Sequence, residues 1–218
     1  MRDETNAHGG LLSRPLQPLG ISATANDPLL ELPAAAQQLA SSIIADQIRH
    51  QPFAIFHPGS ARVEKFWEPE RWAEIIEFAA KELGLFPVLS GGEHRARARA
   101  PHCYPKKLHT PVLDLSGQLD LLSLAALIER ARLLVTVDSA PMHLASAAGT
   151  PQVILFGPTN PFHWRPRKSP AAILFGESPE PLHHFQAREA KRPMKQISTA
   201  AVINAMRLMV SAPAASAV

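Results

Sequence analysis

Cysteine is almost missing from this sequence. Cys103 stands alone among 218 residues, which excludes an internal disulfide and any cysteine-rich metal site and fits a reducing compartment. No apolar run approaches membrane-spanning length. The opening residues, MRDETNAHGGLLSRPLQPLG, carry acids near the start and no apolar core, so no secretory signal is expected. An excess of one charge is missing too. The formal net charge is +3, too small for a dedicated nucleic-acid binder, although attachment to a membrane surface stays compatible with it. The glycine-rich turns form neither G-x-G-x-x-G nor G-x-x-x-x-G-K-[ST], so neither a dinucleotide fingerprint nor a P-loop is supported.

What the chain has is a sizeable apolar fraction, 46%, and a regular alternation that begins at Phe53. Short apolar runs at Phe53 to Phe56, Phe86 to Leu89, Val112 to Leu115, Leu133 to Val137, Gln152 to Phe156 and Ala171 to Phe175 read as buried strands. Helical spacing separates them. Pro69 opens a helix with Trp72, Ile75, Ile76, Ala79 and Leu83 on one face and Gly84 as its stop. Leu121 to Ala131 turns Leu124, Leu127 and Ile128 inward, and Ser198 caps a last helix with Val202, Ile203, Met206 and Met209 on one face. Glu93 to Ala100 reads as a short exposed helix. Strands alternating with helices predict an α/β, Rossmann-like parallel sheet with right-handed crossovers and helices on both faces. Before residue 51 the pattern is weaker: a short strand at Leu29 to Leu32 and a helix at Pro33 to Ile48. Residues 1–50 therefore read as a linker and remnant of another domain, and 51–218 as the folded unit.

The stretch Leu133 to Thr159 organises the rest. It reads as strand, tight turn, helix, strand and polar loop, with Ser139 placed to cap the helix, Pro141 in its first turn and Gly149 at its end. Asp138, Ser139, His143 and Thr159 should then crowd the carboxyl ends of two strands beside a helix N-terminus, where open α/β sheets bind ligands and where an anion such as phosphate is favoured. Three further turns should meet there: His57 to Ser60, Ser90 to Gly92 and Gly157 to Thr159. Lys65 lies just beyond the first and can neutralise a phosphate. Each feature has a plainer reading. Asp138 can be a helix cap, His143 a partly buried histidine, and Lys65 a surface lysine. Trp67 and Trp72 can be packing residues rather than a cover for a base or sugar. The basic clusters Arg165, Arg167, Lys168 and Arg188, Lys191, Arg192, Lys195 can be solvated surface rather than a contact for anionic lipid or a phosphorylated acceptor. Together the turns favour a ligand site.

The segments H-P-G-S-A-R-V-E-K-F-W-E-P-E-R-W, L-S-G-G, V-D-S-A-P-M-H-L-A-S-A-A-G-T-P and L-F-G-P-T-N-P resemble the C-terminal domain of family 9 glycosyltransferases, the lipopolysaccharide heptosyltransferases. The resemblance covers roughly Phe53 to the C-terminus. It implies one half of a GT-B fold and inverting transfer of a heptose from ADP-heptose to the lipopolysaccharide inner core, at the cytoplasmic face of the inner membrane. The implied partners are the nucleotide-sugar donor and the core acceptor, with no nucleic acid and with peripheral membrane contact. No cofactor beyond the donor and no metal ligand are implied, although a divalent ion can assist.

The resemblance also assigns roles. Lys65 matches the lysine on the diphosphate and Asp138 the aspartate on the donor sugar. Ser139, Ala140, Met142 and His143 match the turn and helix start around the phosphates, and Gly157, Pro158 and Thr159 the loop closing that edge. Ser60, Gly91, Gly92 and Glu93 complete the expected donor site. Ala140 stands where the family usually has glycine, so a positive φ there would strain the turn. The general base belongs to a first, acceptor-binding domain that this chain lacks. The alternative reading is a non-catalytic nucleotide-sugar-binding domain, or a remnant without acceptor domain and base; a nucleotide-sugar epimerase of GT-B architecture fits the motifs less well.

Overall fold

The computed structural model describes residues 30–92, 105, 107–166 and 169–211. A six-stranded parallel sheet forms its centre. The strands are β1 (Phe53–His57), β2 (Phe86–Leu89), β3 (Leu113–Asp114), β4 (Leu133–Val137), β5 (Gln152–Phe156) and β6 (Ala171–Phe175), in the order β3-β2-β1-β4-β5-β6. β1 and β4 are neighbours, Ala54 facing Leu133 and Phe56 facing Val135. The chain order reverses between them, so the crevice beyond their carboxyl ends is the topological switch point.

Burial on both faces explains why the strands read as unbroken apolar runs. Alternate residues of β1 point to opposite sides. Ala54 and Phe56 pack with Trp72, Ile75 and Ile76 of α2 (Pro69–Glu82) and with Val202 and Met206 of α6 (Thr199–Ser211). Phe53 and Ile55 pack with Leu127 and Ile128 of α3 (Leu121–Glu129) and with Ala36 and Ala40 of α1 (Ala34–Ser42). A smaller cluster joins Met142 of α4 (Ala140–Ala148) to Ile154, Phe156, Ile173 and Phe175. A four-residue helix, α5 (Pro161–Trp164), sits in the loop after β5, where the sequence suggested none; the Asn160 side chain caps it by accepting from Phe162 N at 2.8 Å.

The stretch before residue 51 departs most from expectation. Leu30 to Leu32 are irregular rather than a strand, and Leu29 lies outside the described residues. The chain there meets no sheet edge and passes directly to Pro33, the N-cap of α1. α1 continues as a π-helix, Ile43–Ile48, with His50 N donating to Ile44 O at 3.0 Å. The helix ends without glycine: Arg49 and His50 both take φ 56°, and Pro52 follows. Ile43 and Ile48 are buried in the same cluster as β1 and α3, so the packed core runs across residue 50. The helix expected at Glu93 to Ala100 lies outside the described residues. Trp67 and Trp72 are packing residues, buried and edge-to-face with ring centres 5.4 Å apart.

Candidate functional site

Four loops at the carboxyl edge enclose a cavity of about 560 Å³. His57 ends β1, and Gly59 and Ser60 follow it. Gly91 and Gly92 follow β2. Asp138 and Ser139 follow β4, and Ala140 and Pro141 open α4. The start of α3 closes the far side with Leu119, Asp120, Leu121 and Leu124. Lys65 reaches in from a 3₁₀ turn, Val63–Lys65, beyond β1.

The charged centre is an ion pair between residues 73 apart in the chain. Lys65 Nζ donates to Asp138 Oδ2 at 2.7 Å and to the Asp138 carbonyl at 2.9 Å. Both side chains are largely shielded, 13% and 7% exposed. Thr159, from the loop after β5, donates its hydroxyl to the same Oδ2 at 2.6 Å. Two of the three ammonium protons are therefore engaged, and one is left to point elsewhere. Oδ1 takes no part in these bonds.

α4 begins with its anion-favouring end bare. Ser139 occupies the N-cap position, but its hydroxyl turns back to the Val137 carbonyl at 3.2 Å and to Thr136 Oγ1 at 3.2 Å. No side chain caps the helix, contrary to the sequence expectation for Ser139, because Thr136 and the strand end compete for its hydroxyl. Ala140 is in the first helical turn and is not among the residues of positive φ, so alanine stands there without the strain that a left-handed turn would impose. The turn that needs glycine is at the other end, where Gly149 takes φ 73° and stops α4.

His57 forms part of the floor. Its Nδ1 lies 3.0 Å from Ser90 Oγ, and burial pushes its pKa down from 6.5 to about 4, so the ring is neutral at physiological pH. Asp120 caps α3, accepting from Ser123 N at 2.7 Å; that backbone hydrogen bond, with the Ser123 side chain, holds its carboxyl below the usual range.

Ser60, Lys65, Gly91, Gly92, Asp138, Ser139 and Ala140 thus line one cavity. The other expected residues stand elsewhere. Met142 is fully buried in the cluster around Ile154 and Phe156, a packing residue. His143 lies on the exposed side of α4; crowding of its ring lowers its pKa, with Asp138 opposing and Lys65 adding. Gly157 serves a close approach of backbone. A Cβ there would sit 2.5 Å from Met194 Sδ and 3.0 Å from the Arg192 carbonyl. Thr159 enters through Asp138 rather than through the cavity wall. Glu93, Arg167 and Lys168 lie outside the described residues. Arg165 is no solvated charge: its guanidinium stacks 4.6 Å from the Phe185 ring centre and donates to the Phe162 carbonyl at 2.7 Å.

The apolar wall at Leu119, Leu121 and Leu124 is the part the sequence reading missed. Its signal was available. The Ser116-Gly117 loop follows a strand of the same parallel sheet, so the helix start after it must open on the same edge. Leu121, 55% exposed at that start, has no packing reason to be apolar. Among the described residues, no group of three His, Cys, Asp or Glu side chains could hold a metal ion.

Comparison with known proteins places the chain in a family. A model of glycosyltransferase family 9 (heptosyltransferase) matches residues 16–195. Lipopolysaccharide heptosyltransferase 3 of Escherichia coli is 29% identical over 152 residues, 69% of this chain and 44% of that protein. Lipopolysaccharide heptosyltransferase 1 of Pseudomonas aeruginosa is 34% identical over 118 residues, 54% of this chain and 32% of that protein. The chain spans less than half the length of the curated relatives it matches. Among solved structures, a family 9 glycosyl transferase from Veillonella parvula superposes with a TM-score of 0.77 at 26% identity, over 96% of this chain and 62% of that one. The ADP-heptose lipopolysaccharide heptosyltransferase II of E. coli shares the fold, with a TM-score of 0.67 at 21% identity over 88% of this chain and 56% of that one.

Proposed function

The chain belongs to glycosyltransferase family 9, and from that premise we propose that it is the donor-binding half of an inverting heptosyltransferase, which takes ADP-heptose and serves transfer to the lipopolysaccharide inner core. The observation that carries this reading is the Lys65–Asp138–Thr159 group beside the uncapped start of α4. One spare ammonium proton and one spare carboxylate oxygen side by side suit a ligand that places an anion next to a hydroxyl. A sugar diphosphate is such a ligand.

In this reading the diphosphate lies at the α4 N-terminus against Lys65. A sugar hydroxyl donates to Asp138 Oδ1, and the nucleoside runs along Leu119, Leu121 and Leu124. The acceptor hydroxyl attacks the anomeric carbon from the face opposite the diphosphate. The new C–O bond forms as the bond to the diphosphate breaks, and ADP leaves with the bonding electrons. Lys65 and the helix start stabilise the charge that develops on it. The acceptor's proton needs a base. Among the described cavity residues the candidates are engaged: Asp138 in its ion pair, Asp120 in a helix cap, His57 against Ser90. The base therefore belongs to an acceptor-side half, which the greater length of the relatives can accommodate. We place the enzyme at the cytoplasmic face of the inner membrane, where the proposed acceptor is met; no helix among the described residues is long and apolar enough to cross a membrane.

Calorimetric titration with ADP and with ADP-heptose tests the site. Lys65→Ala should weaken both ligands about tenfold or more, the loss of a charged hydrogen bond worth roughly 1.5–3 kcal/mol. Asp138→Ala should weaken ADP-heptose more than ADP. Unchanged affinities in both variants would sink the assignment. The second reading, a nucleotide-sugar-binding module without transfer, is favoured by the absence of a free base among these cavity residues.

A further inference from the structure

Beside the donor cavity lies a second groove of about 550 Å³. Lys191, Arg192 and Lys195 line it together with Val63, Phe66 and Pro158. The two concavities share Phe66, and Pro158 directly precedes the threonine that holds Asp138. Resting on the donor-site reading above, we propose that this groove seats an anionic group, carboxylate or phosphate, of the acceptor saccharide, beside the point where the transferred sugar is released.

The charges carry the argument. Among the described residues, Lys191, Arg192 and Lys195 form no ion pair and no side-chain hydrogen bond. Two carboxylates also line the groove, and each is already matched: Glu64 by Arg62 at 2.8 Å, Glu68 by Arg71 at 3.6 Å. The groove therefore keeps three cations unneutralised. Concave walls concentrate such a field.

The cationic segment is also built rather than loose. Arg71 Nη1 donates to the Lys195 carbonyl at 2.9 Å, and Trp67 Nε1 to the Ile197 carbonyl at 3.0 Å. At the other end Arg192 N donates to the Gly157 carbonyl at 2.9 Å, where only glycine leaves room for Met194. Backbone bonds pin the segment from both sides while its three cationic heads stay exposed. Exposed Val63, 68% open to solvent, gives the groove an apolar surface for the body of a sugar ring. A merely solvated charge cluster needs neither the pinned backbone nor the neighbouring apolar surface.

The test uses the full chain saturated with ADP, with amide shifts of residues 191–195 as the readout. Glucuronate and glucose 6-phosphate are the probes, and glucose is the neutral control. Both acids should give saturable millimolar shifts there, weaker at high salt, and glucose none; the tighter of the two identifies carboxylate or phosphate as the preferred group. The triple variant Lys191→Ala, Arg192→Ala, Lys195→Ala should lose the acids about tenfold or more while its ADP affinity and melting temperature stay the same. Shifts confined to the donor cavity, shifts that survive the triple variant, or equal response to glucose overturn the proposal. The ADP titration reports the donor reading separately: ADP bound without acid binding at 191–195 rejects the groove alone, and no ADP binding rejects the donor reading first.

Discussion

His57 shows how a single side chain ties the site to stability. Its ring is buried beside Ser90, and its pKa falls from 6.5 to about 4 on folding. Between those values the unfolded chain binds the proton and the folded chain does not, so stability rises with pH across that window. The contribution is complete above pH 6.5 and is lost as pH falls toward 4, to the extent of about 3 kcal/mol. Urea midpoints measured from pH 7 to pH 4 should fall more steeply in the wild type than in His57→Gln; parallel curves would show that the ring is already protonated in the fold. Residues of this kind were only half legible beforehand. The sequence placed His57, Ser90 and Asp138 at strand ends, because strand ends follow from apolar runs. It did not reveal which atom bonds which. The Ser139 hydroxyl could have gone to the helix start or back to the strand, and Thr136, whose Oγ1 lies 3.2 Å away, is what draws it back.

Elements were easier to read than contacts. The sheet and its flanking helices α2, α3, α4 and α6 follow from apolar spacing, since burial on both faces leaves the strands few polar positions and gives the helices apolar faces. The π-helical continuation of α1 was not readable, because Ile43, Ile44 and Ile48 fit an α-helix equally well. Nor was the shortness of β3, an edge strand whose two residues are only half-buried. Glu177 to Pro193 looked irregular and is irregular, but a 3₁₀ turn at Met194–Gln196 follows it and the stretch is held tightly. Gly157 is the point at which that hold can be tested. In Gly157→Ala the new methyl group meets Met194 Sδ and the Arg192 carbonyl, and the 192–194 segment must move. Thermal unfolding should show a loss of about 1–3 kcal/mol, as overpacked sites do, and the amides of residues 192–197 should shift. An unaltered melting curve would mean that Met194 swings aside at no cost.

On the scale of the whole molecule, the proposed donor edge has no free base among its described cavity residues. The separation is what a two-domain transferase predicts, with the leaving-group machinery on one half and proton removal on the other. Supplied with ADP-heptose and a lipopolysaccharide core acceptor, the chain alone should bind ADP and form no transfer product, as mass spectrometry of the acceptor can establish; product from this chain alone would place the base among its own residues.

The Lys65–Asp138 pair has one more consequence. Asp138 is a tethered anion that never diffuses away, so it competes for Lys65 at a very high effective concentration. On the donor-site reading proposed above, an arriving diphosphate would have to share the ammonium group with this built-in rival. The pair would then shorten the stay of a spent nucleotide.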